Sequence, residues 1–377
     1  MSEFSEMMKE RPKTVRIIGV GRAGINVAKY WRNDMGGERA DKFVAVCDWD
    51  SKAIEQSGVS AALRLDECTV WPGIRSGAEA VEKRIDDVRE LVNASEVAVV
   101  VGLGGEFGTE AAPIIAREAK AAGASTVGVA TLPFEHEGSV RVRRALDGLR
   151  ELAVNTDALF ILNNESMLRY YGKLLVPDAL TRIDHIMSDA TDMLITHCMR
   201  DEPKYKKLDA KVFGIGRAGA DLVDYLREKK YRETLLMTAR VNDDSGCIKS
   251  VECNIDTGDA PTILDVFSRF FSGKDSRVCF VADLGVSGIA TATIMADLAK
   301  KNGAITVGLV TLPAVSEGAA KCTKAIDNLQ KLAVKTDAVF AFRKDVSSIP
   351  RLALWICDID FEVNRLIKEG RREKSDL

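Results

Sequence analysis

Val15–Trp31 reads VRIIGVGRAGINVAKYW, a β-branched run that gives way to Gly19, Gly21 and Gly24 and then to apolar residues at helical spacing. The pattern predicts a buried strand, a tight turn and a helix, and small residues at such a turn let the backbone approach a phosphate at the helix N-terminus. The stretch recurs. Ile18–Trp31 (IGVGRAGINVAKYW) returns as Phe213–Leu226 (FGIGRAGADLVDYL), with Gly19 matching Gly214 at an offset of 195. Gly123–Leu162 (GASTVGVATLP…LAVNTDALFIL) returns as Gly303–Phe342 (GAITVGLVTLP…LAVKTDAVFAF), with Pro133 matching Pro313 at an offset of 180. Two blocks repeated in one order predict a duplicated domain whose second copy is shorter in its middle.

Between these blocks, KFVAVCD, EVAVVVG, STVGVATLP and DALFIL are short β-branched runs ending at Gly, Asp or Pro, with amphipathic stretches between them. That alternation is what a parallel sheet covered on both faces requires, so the predicted fold is α/β, two tandem doubly wound domains. The expected boundaries are a tail over 1–13, a nucleotide-binding domain over 14–175, a connecting helix and linker over 176–207, a second domain over 208–345, and a terminal helix and tail over 346–377. Leu180, Ile183, Ile186, Met187, Ala190, Met193 and Leu194 give the connecting helix its apolar stripe. The polar run Arg200–Lys207, with Pro203 inside it, marks the break.

Composition narrows the function. The 377 residues carry 53 basic and 56 acidic side chains, a net charge of −3 that offers nucleic acid no electrostatic attraction. No apolar stretch is long enough to span a bilayer and the N-terminus lacks a signal core, so a cytoplasmic location is expected. Cys47, Cys68, Cys198, Cys247, Cys253, Cys279, Cys322 and Cys357 form no CxxC pair, and His136, His185 and His197 add no metal-spaced set. Neither a disulfide framework nor a zinc site is expected.

Asp48 and Asp50 end the second predicted strand, where an acid would meet a ribose hydroxyl in a dinucleotide site. An NAD-dependent oxidoreductase is therefore one reading. A second glycine-rich loop, Val101–Pro113 (VGLGGEFGTEAAP), argues for another. Two backbone cradles at one sheet edge suit a triphosphate better than the single pyrophosphate of a dinucleotide.

Here the segments resemble the FtsZ/tubulin superfamily of assembling GTPases, over roughly Thr14–Cys198. GGEFGTE followed by AAP is similar to that family's GGGTGTG followed by AAP, and IGVGRAGINVA is similar to its first glycine-rich loop. WPGIRSGA resembles the loop that reaches the terminal phosphate, TLPFEHEGSVR resembles TKPFxFEGxxR, ILNNESML resembles IPNDRLL, and PDALTRIDHIM resembles LDAFxxANDVL. The resemblance implies GTP or GDP as ligand, with Mg²⁺ a further candidate. It implies phosphate contacts from Gly19, Gly21, Arg22, Ala23, Gly24, Asn26, Gly104, Gly105, Glu106, Phe107, Gly108 and Thr109, and from Gly77 and Ala78 to the terminal phosphate. It places Glu137 on the ribose, Arg141 near ribose and phosphate, Asn164 on base or ribose, and Asp184 where the family has its guanine-reading Asn; Asp48 joins the set as a ribose candidate.

Departures carry their own expectations. Glu106 and Glu110 stand for glycines and Phe107 for a threonine, and anionic side chains beside phosphates repel them. In the second copy Lys321 stands for Arg141, Lys344 for Asn164 and VSGIAT for GEFGTE, while Gly285, Gly288 and Glu317 are kept. That copy is expected to be degenerate, a built-in pseudo-dimer partner. The acid-bearing loop that the family uses across subunits has Asp201 and Glu202 in a polar linker at roughly its chain position, and the sequence that follows is expected to be a second nucleotide-domain-like copy rather than the family's usual second domain. The expectation is a self-assembling, cytoskeletal or division-related protein with slow or absent hydrolysis. A nucleotide-free scaffold is the third reading.

Overall fold

The computed structural model describes residues 14–65, 76–171, 175–198, 208–229, 236–241, 248–253, 267, 270–271, 276–285, 289–344, 352 and 356–360. The chain divides into two compact units, Met1–Met199 and Arg200–Leu377.

In unit 1 the elements run β1 (Val15–Val20), α1 (Gly21–Asp34), β2 (Val44–Asp48), α2 (Ser51–Ser57), β3 (Ala61–Arg64), α3 (Gly77–Lys83), α4 (Ile85–Leu91), β4 (Glu96–Gly102), α5 (Glu106–Ala121), β5 (Ser125–Leu132), α6 (Ser139–Asn155), β6 (Ala158–Asn163), α7 (Asn164–Tyr171) and α8 (Val176–Cys198). Their strands lie in the order β3-β2-β1-β4-β5-β6 and every pairing is parallel. β4 and β6 are almost wholly buried, which is why they read as continuous apolar runs rather than alternating ones. α1 turns Ile25, Val27, Ala28 and Trp31 inward. A Cβ on Gly19 would strike the Gly24 carbonyl, and one on Gly24 the Val100 carbonyl, so these glycines let α1 lie directly against β1 and β4.

Unit 2 runs β7 (Lys211–Ile215), α9 (Gly216–Glu228), β8 (Leu236–Val241), β9 (Ile248–Cys253), β10 (Arg277–Asp283), α10 (Ile289–Lys301), β11 (Ile305–Leu312), α11 (Ala319–Ala333) and β12 (Ala338–Arg343). Its order is β9-β8-β7-β10-β11-β12, parallel except for β8 against β9. Phe213, Phe267, Phe270, Phe271 and Phe280 form an aromatic cluster, Phe213 meeting Phe280 edge to face at 5.9 Å between centroids.

Several local devices recur in both units. Asp157 accepts the Thr126 N–H at 3.0 Å and pairs with Lys120, while Asp337 accepts the Thr306 N–H at 2.8 Å and pairs with Lys300. Glu137 and Glu317 each accept a backbone N–H three residues back, from Phe134 and Ala314, both at 2.9 Å. Gly138 and Gly318 follow at φ 97° and 101°. Cys47, Cys279 and Cys357 are buried, and burial pushes the Cys47 and Cys279 thiols well up. No described helix is long and apolar enough to cross a membrane. The proposed linker at 200–207, Asp201 and Glu202 within it, and nearly all of the proposed terminal helix lie outside the described residues.

Candidate functional site

The strand order of unit 1 reverses between β1 and β4, which lie side by side with Val20 opposite Val101. Chains leaving two such strands part to opposite faces of the sheet, so a crevice opens at their carboxyl ends. Both glycine-rich loops sit there. Gly21, at φ 71°, is the residue that turns β1 into α1, and a Cβ on it would come 3.2 Å from the Gly108 Cα. The two loops are therefore in direct contact.

Neither helix that starts at this crevice is capped by a side chain. Val20 precedes α1 and Gly105 precedes α5, and neither offers a side-chain acceptor, whereas α2 and α3 are capped by Asp50 and Ser76. The first-turn N–H groups of α1 and α5 thus converge without an acceptor of the usual kind, with the positive ends of two helix dipoles behind them. A Cβ on Gly105 would meet nothing within 4 Å, so its backbone borders open space. The Gly104 N–H donates to the Thr109 hydroxyl at 2.8 Å and staples the second loop to its own helix.

Other candidate residues are brought to these loops. Arg141 lies across Gly104, whose Cβ would come 2.8 Å from the Arg141 Cγ, and its Nε pairs with Glu137 at 2.9 Å. A Cβ on Gly77 would approach the Phe107 carbonyl to 2.8 Å, so the start of α3 is pressed against the start of α5. Ala23 packs beneath Gly102, and Asn26 is exposed on the first part of α1. Arg22 is turned to Asp50, at 2.6 Å. Glu106 keeps 71% of its side chain exposed and stands 3.9 Å from Arg144.

Asp48 is buried, and one of its oxygens accepts the N–H groups of Trp49 and Asp50 at 2.7 and 3.1 Å. Burial raises its carboxyl above the ordinary carboxylate value, against the lowering effect of those N–H bonds. Asn164 opens α7 directly after β6; it is 7% exposed, and its Oδ1 has no hydrogen-bond partner among the described residues. Asp184 lies on α8, which packs on α1, and stacking of Tyr30 on the adjacent His185 at 3.8 Å helps to fix it. Burial pushes the Asp184 carboxyl up to about 7. Among the described residues no hydrogen bond or ion pair joins Asn164 or Asp184 to either glycine-rich loop.

The matching end of unit 2 is filled by its own charges. Lys344 pairs with Asp283 at 2.5 Å and stands 3.7 Å from Glu317, which pairs with Lys321 at 2.5 Å. Asp283 also accepts the Gly285 N–H at 2.9 Å, and Lys321 covers Gly285 closely. Gly288 lies outside the described residues.

Two neighbours of the site, Trp49 and Glu110, were not offered by the sequence as contacts, and Asp50, a ribose candidate from sequence, is instead turned to Arg22. Trp49 packs on Phe107 with centroids 5.4 Å apart, Asp50 holds Arg22, and Glu110 accepts the Ala78 N–H at 3.3 Å. Glu110 stood out only as a glycine replaced. Among the described residues no group of His, Cys, Asp and Glu is placed to hold a metal ion, and the Trp71–Arg75 part of the third loop lies outside them.

Residues 14–172 match the Tubulin/FtsZ family, GTPase domain. The cell division protein FtsZ of Porphyromonas gingivalis is 32% identical over 199 residues, covering 50% of this chain and 43% of that protein. That of Aquifex aeolicus is 32% identical over 187 residues, covering 48% and 50%. The chain spans about half the length of these relatives. Among solved structures, an FtsZ dimer of M. jannaschii aligns over 90% of this chain and 86% of its own, at 16% identity and a TM-score of 0.45.

Proposed function

We propose that unit 1 binds a guanine nucleotide, GTP or GDP, at the crevice between β1 and β4, and that the chain works by self-assembly as an FtsZ-like cytoskeletal or division element with slow or absent hydrolysis. The observation that carries this reading is the meeting of α1 and α5, two helices without side-chain caps, at the Gly21–Gly108 contact. A chain of phosphates supplies the acceptors and the negative charge that two such helix ends lack.

The remaining residues fit a nucleotide. Gly104, Gly105, Gly108 and Thr109 would line the phosphates from α5, Gly19, Gly21, Ala23, Gly24 and Asn26 from α1, and Gly77 and Ala78 would meet the terminal one. Arg141 and Glu137 stand beside the second loop, as a ribose and phosphate pair requires. The Asn164 oxygen, without a partner among the described residues, could accept from a donor such as a base or ribose offers. Asp184 would accept from the guanine ring nitrogen and amino group. A Mg²⁺ accompanying a triphosphate would draw its oxygens mainly from the phosphates and water, since among the described residues no group of His, Cys, Asp and Glu is placed to hold it.

Unit 2 is read as a degenerate tandem copy that travels in the same chain as a permanent partner and holds no nucleotide. Support comes from its matching strand order, from the paired devices at Asp157 and Asp337, and from the Lys321–Glu317–Lys344–Asp283 cluster in place of ligand. The division role draws on the relatives, which are named cell division proteins. Slow hydrolysis follows from chemistry: holding phosphate, neutralising developing charge and positioning water are all needed, and the candidate residues serve mainly the first.

The test is direct. Nucleotide released from purified protein and identified by chromatography should be GTP or GDP, and adding either should raise the melting temperature. Sedimentation should show assemblies favoured by GTP. Protein that carries no guanine nucleotide and shows no thermal shift sinks the reading; assembly under those conditions would mark a scaffold, and a fluorescent NADH complex an oxidoreductase.

A further inference from the structure

We propose that Glu110 sets the choice between nucleoside di- and triphosphate by competing with the terminal phosphate for the Ala78 backbone amide. The inference rests on the nucleotide reading of the crevice given above.

Ala78 N–H donates to the Glu110 Oε2 at 3.3 Å, across 32 residues of chain. Gly77 is pressed against the backbone of Phe107, so the turn that presents this amide is pinned to the first turn of α5 and has little room to retreat. What can move is the Glu110 side chain. Its carboxylate is to a backbone N–H what a phosphate oxygen is, an anionic acceptor, so it imitates the ligand group that would use the same donor.

A terminal phosphate that reaches Ala78 meets a donor already engaged and a like charge beside it. A diphosphate ends one phosphate short of that amide and meets neither obstacle. Glu110 therefore penalises the triphosphate alone. The displaced carboxylate has somewhere to go: a cavity of about 640 Å³ borders Ala78, Thr109 and Glu110, with Arg117 and Arg144 on its wall. Its movement there would report that a triphosphate is bound.

Calorimetric titration of the full chain with GDP, and with a guanosine triphosphate analogue whose terminal bond resists cleavage, tests this in wild type, Glu110→Gln and Glu110→Ala. GDP affinity should stay the same in all three. Triphosphate affinity should rise about tenfold in Glu110→Ala, the scale of one hydrogen bond with a charged acceptor. In Glu110→Gln it should rise less, because the amide oxygen still accepts from Ala78 while the charge is gone. An unchanged triphosphate-to-GDP ratio, or a loss of triphosphate binding in Glu110→Ala, overturns the proposal and leaves the nucleotide site standing. No binding of either nucleotide by any of the three chains overturns both. Glu110→Gln keeps the shape of the side chain and carries the test by itself should Glu110→Ala fail to fold.

Discussion

Arg141 and Lys321 hold matching places but different company. Arg141 lies over the second glycine loop of unit 1 with Glu137 as its partner, while Lys321 belongs to a cluster of four charges. Arg141→Ala should weaken GTP binding roughly tenfold or more, the scale of one charge-assisted hydrogen bond to phosphate. Lys321→Ala should leave it unchanged, and equal losses measured by titration would refute a single site. Asp184 adds a pH dependence. With the carboxyl titrating at about 7, acidification from pH 8 to 6 protonates it in the free protein. A protonated acid no longer accepts both guanine donors, so GTP affinity should fall as pH drops, by at most about tenfold per unit below the titration point. Asp184→Asn should flatten that profile. Stability has the opposite sense: the folded value is raised from 3.8 to about 7, so the folded chain binds the extra proton and loses stability as pH rises through that window. Melting temperatures of wild type and Asp184→Asn, compared from pH 4 to 8, should converge at the acid end.

Two turns separate strain from function at the scale of elements. Gly21 has φ 71° and faces Gly108, whereas Gly58, at the end of α2, has φ 68° and nothing within 4 Å of its would-be Cβ. Alanine at either position should cost about 1–2 kcal/mol for the left-handed backbone, read from urea melts. Only Gly21→Ala should also lose nucleotide affinity on the proposed reading, because its Cβ would press on Gly108 and force the starts of α1 and α5 apart. Glu106, in the first turn of α5, presents an exposed negative charge at the helix end proposed to meet phosphate. Glu106→Gly should tighten GTP binding, at a cost of about 1 kcal/mol or less in helix stability from the lost dipole contact and the added glycine. Abolished turnover with binding retained would instead make Glu106 catalytic.

For the whole molecule the prediction is one nucleotide per chain. The β10–β12 end of unit 2 satisfies its charges internally, and three contacts hold the Glu317 carboxyl below its ordinary range: first the Lys321 hydrogen bond, then the Ala314 N–H, then the charge of Lys344. Stability from this cluster should be present above the ordinary glutamate range and lost as pH falls through the lowered value. Lys344→Ala should lower the melting temperature while nucleotide stoichiometry and affinity stay as in wild type. A second equivalent of released nucleotide would show that unit 2 binds as well.

Strand, turn and helix at Val15–Trp31 and again at Glu96–Ala121 were legible from sequence alone, because alternation, glycine and apolar spacing act between near neighbours in the chain. The same holds for the parallel sheet, since buried β-branched runs separated by helices have few other ways to pack. That two glycine-rich loops would share one sheet edge followed from the strand-loop-helix pattern at both, and the place of Arg141 beside them from resemblance; the Gly21–Gly108 and Arg141–Gly104 contacts come from the tertiary structure. What no local pattern contains is the pairing of Ala78 with Glu110, of Lys344 with Asp283, and the Asn164 oxygen left without a partner among the described residues. These depend on strands coming into register and on helices reaching their final depth, which is also what strips water from Asp184 and raises its carboxyl. Sequence determined which groups stand at each strand end; tertiary packing decided which of them are already satisfied by the protein and which are left for a ligand, because a hydrogen bond or a buried charge depends on distance in space rather than along the chain.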